Sequence, residues 1–561
     1  MYRSRRPNPK DCVMPGRNLA LVTARRLYPL VSWQMSRRRE SSPRRYSVGV
    51  GKVAFAMAAA VLIAAAAAPT VTAAQADYTV WTADGLTKIL RATPAPEPLP
   101  GTVRIYAARN EYESAQVVIR AKSQPLEGVM VTISDLVGPQ GSTIAAQTIG
   151  LYREAYIYLP AYKADYPDPL PPVTPFSVAP DTNQPVWLTV YVPKGAAAGT
   201  YRGGLTVSAT GAAPRRIPVT LTVWSFTLPD TPTSRTAFGM GSGAIAEAHG
   251  LKADSPASVP LVARYYEALL QHRISAYSTP VPLDSPEVGR YLSDPRVTSF
   301  IMRYTDVEGM RADVECCRKN GWLGKAVFYP LDEPQTAEQY ATLKERADRI
   351  HSIDRSLKIV SPFFCDPLFD TGQTIYEHFD GYLDIWCPNL MYYNEQEMHA
   401  KQAKGEEVWW YVCCIPLGPY PNFFVNRDAI DHRILMWMQK LYDVQGLLYW
   451  NTTHWDPSST KDVWQDVATV KDISPNLYGD GSLFYPGSKV GLAEPVVSIR
   501  LECIRDGLED FDYLTLLERK VGAERTKAMI RQLVRSRKDF EKSPRRLAAV
   551  RLQIARVLEQ R

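Results

Sequence analysis

Two adjacent carboxylates, Asp332 and Glu333, end the stretch Lys325-Ala-Val-Phe-Tyr-Pro-Leu-Asp-Glu-Pro334. Ala326 to Tyr329 is an apolar run too short for a helix and reads as a buried strand, so the two acids sit just past its C-terminal end. Pro334 disfavours helical backbone at Glu333, which predicts an extended or turn conformation in which the neighbouring side chains diverge. Two acids aimed differently from one rigid point can serve two roles. A bare Asp-Glu-Pro is more often a solvated strand-end turn, so the meaning of the pair depends on what surrounds it.

The elements around it come in two kinds. From Asp77 to about Asp230 short β-rich runs alternate with Pro and Gly: Val103 to Ala107, Ser114 to Ile119, Val129 to Ile133, Trp187 to Val192, Gly203 to Ala209 and Ile217 to Trp224. These predict an all-β sandwich. Tyr156 to Pro172, rich in Tyr and Pro, reads as a long surface loop. After the linker around Pro229 and Pro232 the pattern changes to alternating strand-like and helix-like segments. Val262, Tyr265, Tyr266 and Leu269 fall at helical spacing, with Ile274 to Tyr277 reading as the strand after them. Helical stretches at Thr336 to Ile350 and Arg427 to Tyr442 separate apolar strands at Lys358 to Phe364, Leu383 to Pro388, Glu407 to Cys413 and Gln445 to Trp450. About eight such strands with helical crossovers predict a (β/α)8 barrel of the usual ~250 residues, with chemistry at the C-terminal strand ends.

Polar and aromatic residues gather at those ends: Asp332 and Glu333, Asp366, Asn389 with Tyr392 and Tyr393, Trp409 to Tyr411, and Tyr449-Trp450-Asn451. Each aromatic alone is more often core than ligand platform. Together, aromatic walls beside paired acids match what sugar rings require, apolar faces for stacking and carboxyls for bond cleavage. Gly479-Asp480-Gly481 reads as a β-turn within the irregular stretch 451–497, and Ser498 caps a last barrel helix reaching Leu517. The expected domains are therefore a leader over 1–76, a β-sandwich over 77–231, a barrel over 232–517 and a helical tail over 518–561.

The overall charge of +7 is uneven. Residues 1–52 hold 13 Lys and Arg against Asp11 and Glu40, a local +11, and the remainder carries −4. The body of the protein is mildly acidic and does not call for nucleic acid. The basic start, the apolar run from Val53 to Ala68 and Ala74-Gln-Ala76 describe a secretory signal peptide cleaved before Asp77, too short to span a membrane. Met35 would open a more ordinary signal, and Arg44-Arg45 is a weak twin-arginine signal. A secreted or periplasmic location, without membrane attachment after cleavage, follows. Seven of the eight cysteines lie beyond this leader, an odd number in mostly apolar contexts, which points to several buried thiols. The seven histidines form no ligand spacing, so neither a metal nor another cofactor is expected.

Several motifs in order resemble glycoside hydrolase family 123: Tyr329-Pro-Leu-Asp-Glu-Pro334, Trp410-Tyr-Val-Cys-Cys-Ile-Pro416 with Pro419-Tyr-Pro-Asn422, Gly446-Leu-Leu-Tyr-Trp450, Gly479-Asp-Gly-Ser-Leu-Phe-Tyr-Pro-Gly487, and Ser498-Ile-Arg-Leu-Glu502 through Arg505-Asp-Gly-Leu-Glu-Asp510. Arg109-Asn-Glu-Tyr-Glu-Ser-Ala-Gln116 and Pro193 to Gly203 are similar to that family's N-terminal sandwich domain. The resemblance implies a retaining exo-β-N-acetylgalactosaminidase acting on an oligosaccharide or glycoconjugate with substrate assistance. In that scheme Asp332 orients the 2-acetamido group and Glu333 is the general acid and base. Asn389 joins the substrate-binding set, Tyr392 or Tyr393 would meet the acetamido oxygen, and Trp410 or Trp450 would wall the ring. Two alternatives stay open at this point: a carbohydrate-binding protein without turnover, and a glycosidase for a sugar lacking the 2-acetamido group.

Overall fold

The computed structural model describes residues 77–366, 372–455, 463–468, 473–474 and 476–560. The leader over 1–76 lies outside them. The N-terminal part is two facing β-sheets. One has the order Tyr78–Asp84, Glu111–Ala121, Asn183–Val192, Ile149–Arg153, and the other runs Phe176–Val178, Leu126–Ile133, Gly199–Ala209, Ala212–Thr227, Val103–Arg109. Side chains alternate across each strand, so Val117, Ile119, Val186 and Leu188 meet Val131, Leu205, Val207 and Leu221 in one apolar layer between the sheets.

Seven parallel strands follow, in the order Arg235–Phe238, Gly446–Tyr449, Glu407–Tyr411, Ile385–Pro388, Lys358–Phe363, Ala326–Phe328, Phe300–Met302. The segment expected as a strand at Ile274 to Tyr277 is instead a single bridge, Ala276 beside Phe238. It nevertheless joins the two ends of the sheet, because Tyr277 N–H donates to Phe238 O at 2.8 Å and Ile301 N–H donates to Tyr277 O at 2.7 Å. Side-chain hydroxyls take the place of a longer ladder here: Ser275 Oγ accepts from Thr298 N–H at 2.8 Å and Thr236 Oγ1 from Ser275 N–H at 2.8 Å. The result is a nearly closed β/α barrel followed by C-terminal helices, Ala523–Ile530 and Pro544–Glu559.

Barrel helices start where the chain supplies caps. Thr336 and Gln339 form a reciprocal capping box for Ala337–His351, and Ser498 Oγ accepts from Leu501 N–H to open Ile499–Val521. Tyr156 to Pro172 is not a plain loop. It forms a hairpin of Tyr156–Leu159 against Ala164–Pro167, whose apolar face packs on Val425, Tyr478 and Tyr485 of the barrel loops.

The sandwich and the barrel share a seam of buried charge. Glu111 and Glu113 come from the sandwich, Arg433 from helix Ala429–Leu441, Arg551 from the last helix, and Glu502, Arg505, Asp506, Glu509, Asp510 and Asp512 from one long helix. Asp510 takes both Arg433 Nε and Arg551 Nε at 2.6 Å, while Arg505 reaches Glu502 at 2.9 Å and Arg273 reaches Asp512 at 2.9 Å. Acids outnumber arginines here, and burial pushes Asp506 up to about 7 and holds Glu509 well above the carboxylate range. The charged motifs around Arg109 to Gln116 and Ser498 to Asp510 thus supply the interdomain lock. Nearby, Arg500, 0 % exposed, donates to Asp168 at 2.8 Å and to the carbonyls of Phe423, Gly479 and Ser482.

Candidate active site

Val327 is directed into the barrel, Phe328 toward the helices, and Tyr329 inward again. The chain then turns over the barrel mouth. Arg346 holds Pro330 O from helix Ala337–His351, and Ser361 Oγ donates to Leu331 O at 2.8 Å from the next strand. These two anchors fix the short stretch that carries Asp332 and Glu333. Glu333 stands in the left-handed region with φ of 39°, directly before Pro334, a conformation that costs about 1–3 kcal/mol and persists only where the surroundings enforce it. The expected divergence of the two side chains is realised through this bend.

Each acid has its own tyrosine. Tyr329 donates to Asp332 Oδ1, and Tyr411, the last residue of strand Glu407–Tyr411, donates to Glu333 Oε1. Tyr277 packs edge-on against Tyr329 at 6.2 Å, and the Cys387 thiol lies within the field of both carboxylates. Tyr277, Tyr329 and Tyr411 are held well above the usual phenol range, first by burial and then by the charge of the acids, so Tyr329 and Tyr411 remain protonated donors to their carboxylates. Asp332 is exposed at the barrel mouth and Glu333 half-buried, with protein packed closely around both carboxyls. Burial and then the Asp332 charge push Glu333 up to about 7, against the pull of the Tyr411 hydroxyl. Burial also raises Asp332, and the Tyr329 hydroxyl opposes it. A carboxyl poised near 7 can give a proton to a departing oxygen and recover one from water, while a hydrogen-bonded neighbour faces positive charge.

The remaining sequence-selected residues divide. Trp410, 0 % exposed, is directed outward into the helical layer, where it packs against Tyr393 and Tyr442 at 5.6 and 6.3 Å. Tyr393 donates its hydroxyl to Tyr442 O at 3.1 Å. Neither faces the barrel interior: Trp410 is turned outward by alternation, since the inward residues of Glu407–Tyr411 are Trp409 and Tyr411, and Tyr393, which follows the turn Leu390–Tyr392, packs in the helical layer. Asn389 is buried, with its side chain accepting from Met391 N–H and donating to Ile415 O, so it shapes the loop after its strand. Tyr392 is half-buried, edge-on to Phe364 at 6.5 Å. Trp450 is half-buried at its strand end, donating to Asp480 Oδ1 at 3.0 Å, with His454 at 4.8 Å beside its ring.

Sequence reasoning placed Tyr411 among the strand-end aromatics without pairing it to Glu333, and it missed Tyr277 and Asp480 as members of the site. Period-two counting puts Tyr411 on the same face as Trp409 without saying which face is inward. Asp480 belongs to the Gly-Asp-Gly turn, where Gly479 and Gly481 adopt φ of 81° and 70°, and a Cβ on Gly481 would lie 2.1 Å from the Trp450 ring. Tyr449 also donates to Asp480, at 3.1 Å, and burial pushes that carboxyl up to about 6. A cleft of about 730 Å³ lies elsewhere, on the sandwich–barrel seam beside Tyr112, Tyr152, His272 and Glu502.

Comparison with known proteins gives two matches by family. The catalytic domain of glycoside hydrolase 123 matches residues 308–517, and the glycoside hydrolase 123 N-terminal domain matches 87–209. A family 123 glycoside hydrolase from Clostridium perfringens, described for glycolipid glycan hydrolysis, shares the fold with a TM-score of 0.67 at 14% identity, over 86% of this chain and 97% of that one. A GH2 beta-galacturonidase from Eisenbergiella tayi, bound to galacturonate, aligns over 77% of this chain and 72% of its own at 11% identity, with a TM-score of 0.29. No curated protein matches the chain.

Proposed function

Because this chain belongs to glycoside hydrolase family 123, we propose that it is a retaining exo-β-N-acetylgalactosaminidase-like enzyme in which the sugar's own 2-acetamido oxygen is the nucleophile. One observation carries the reading. Both acids come from a single bend at one strand end, and each is held by a different tyrosine. An ordinary retaining pair flanks the glycosidic bond with its carboxyls ~5–5.5 Å apart, one of them attacking the sugar. Adjacent residues approach from the same side, which suits an acid at the leaving oxygen and a neighbour at the acetamido group.

In this reading Glu333 protonates the departing oxygen and later takes a proton from water, in keeping with its position near 7. Asp332 orients the acetamido N–H and stabilises the oxazolinium charge, and its hydrogen bond from Tyr329 favours the ionised form this requires. Trp450 and Tyr392 are the sequence-selected side chains left to meet the sugar. The substrate is a glycoconjugate ending in a 2-acetamido sugar, and the glycolipid glycans of the Clostridium perfringens relative are the class to try first. The protein works outside the cytoplasm after cleavage near Ala76.

Aryl glycosides with and without the 2-acetamido group test this directly, together with a thiazoline mimic of the oxazolinium ion. The expected result is turnover of the acetamido sugar and inhibition by the thiazoline far below product-sugar concentrations. A 2-fluoro sugar that traps a covalent adduct on Asp332, or an active enzyme indifferent to the thiazoline, would replace substrate assistance with a carboxylate nucleophile.

A further inference from the structure

Beyond Tyr411 the chain leaves its strand in a bend that carries two neighbouring cysteines, Cys413 and Cys414, with their sulfurs 3.7 Å apart. Both are half-buried thiols. The bend is firmly held: Cys413 N–H donates to Ile415 O at 2.8 Å, and Asn422 Nδ2 donates to Cys413 O at 2.8 Å and Pro416 O at 2.9 Å. Cys413 packs against the inward cluster that includes Tyr329 and Tyr411, and Cys414 feels the charges of both Asp480 and Glu333. The pair therefore stands at the barrel mouth between the bend of Glu333 and the turn of Asp480.

Adjacency alone does not bring two sulfurs together. Cys316 and Cys317 are also neighbours, but they lie inside helix Val307–Lys319, where consecutive side chains do not face each other. Cys317 meets Met302 Sδ at 3.8 Å, whereas Cys316 is directed elsewhere and meets Asn320. The bend after Tyr411 is what makes Cys413 and Cys414 face.

We propose that Cys413 and Cys414 form a thiol–disulfide site in the wall of the active-site mouth, closing to a bond between neighbouring residues on reaction with a small-molecule disulfide. The Cys414 thiolate attacks one sulfur of the reagent, forming a mixed disulfide and releasing one thiolate. Cys413 then loses its proton and attacks Cys414 Sγ, releasing the second. The protein pair loses two electrons, the reagent gains them, and the two protons end on the released thiols. Either sulfur can donate to the other across 3.7 Å; with the Cys413 thiol as donor the Cys414 thiolate is favoured, burial and the carboxylates opposing, and the exchange balances the same way if the roles are reversed. Adjacent Cα atoms are about 3.8 Å apart, inside the ~4.4 Å at which relaxed disulfides begin, so the ring is strained and readily reduced, as labile and regulatory disulfides are.

Closure removes any thiolate charge from the neighbourhood of Glu333. With less negative charge beside it, Glu333 gives up its proton at lower pH. This kinetic consequence rests on the reading of Glu333 as the acid, whereas formation of the bond does not.

The test equilibrates the wild-type protein in glutathione buffers from fully reducing to fully oxidising, quenches with iodoacetamide in denaturant and maps peptides by mass. On oxidation the peptide holding Cys413 and Cys414 is expected to become two hydrogens lighter and refuse alkylation, while Cys316 and Cys317 stay reactive. Free alkylation of Cys413 and Cys414 in oxidised glutathione, or a glutathione adduct without ring closure, overturns the site. In the same buffers the basic limb of kcat/KM is expected to move to lower pH on oxidation, and Cys414→Ser to abolish that movement. A ring that forms while the limb stays put overturns the coupling to Glu333. Failure of the acid assignment is read separately, from the leaving-group dependence of Glu333→Gln.

Discussion

Tyr411→Phe isolates the hydrogen bond that tunes Glu333. The hydroxyl favours the ionised carboxylate, so its removal raises the Glu333 pKa from its position of about 7. A hydrogen bond to a charged group contributes about 1.5–3 kcal/mol, which at 1.36 kcal/mol per unit is ~1–2 units. Water at the barrel mouth replaces part of the lost bond, so a rise of about 1 unit is expected. A general acid must be protonated, and its stay in that form to higher pH moves the basic limb of kcat/KM alkaline. With limbs near 7 and 8, the protonated fractions at pH 8 are about 9% and 50%, against near-complete protonation of both at pH 6. The ratio of variant to wild-type kcat/KM should therefore climb about fivefold between pH 6 and pH 8, whatever the absolute loss. The assay is initial-rate kinetics on a substrate with a poor leaving group, where the proton is needed. A ratio that is flat or falls over that range would refute the assignment of Glu333 as the acid tuned by Tyr411.

Glu333→Gln should abolish turnover of poor leaving groups while sparing activated aryl glycosides more; equal loss on both would sink the acid role. Asp332→Asn should cost on the order of 10² to 10⁴ in kcat, since it removes a charge facing a developing cation, and single-turnover rates near wild type would contradict it. Arg500→Met leaves buried Asp168 with the Tyr485 hydroxyl but without its cationic partner and should cost about 3–5 kcal/mol in denaturant unfolding, with a loss below ~1 kcal/mol arguing that the pair is dispensable. N-terminal sequencing of exported protein should begin at Asp77, and a start far from it would refute the cleavage site.

Much of this protein is legible in the order of its residues because its periodicities are local. The β-rich runs up to Ile217–Trp224 and the strand–helix alternation after Pro232 predict the two architectures, since burial on one face imposes a period of 2 or 3.6 within a single element. Asp332 and Glu333 stand out for the same reason, an apolar strand ending on acids before a proline. What tertiary structure decided is how distant elements meet. The choice of Trp409 and Tyr411 over Trp410 as the inward residues depends on how that strand is turned about its axis in the nearly closed barrel, and the run of three aromatics carries no alternation of polarity to reveal it. The partnership of Tyr411 with Glu333 joins residues 78 apart, and that of Arg551 with Glu111 joins residues 440 apart. Charged residues in a helix read as a solvated face until the sandwich covers them, which is why Glu502 to Asp512 became the buried seam. Ile274 to Tyr277 shows the converse: an apolar strand-like run is reduced to one bridge because the hydroxyls of Ser275, Thr236 and Thr298 take over the hydrogen bonds a ladder would have made.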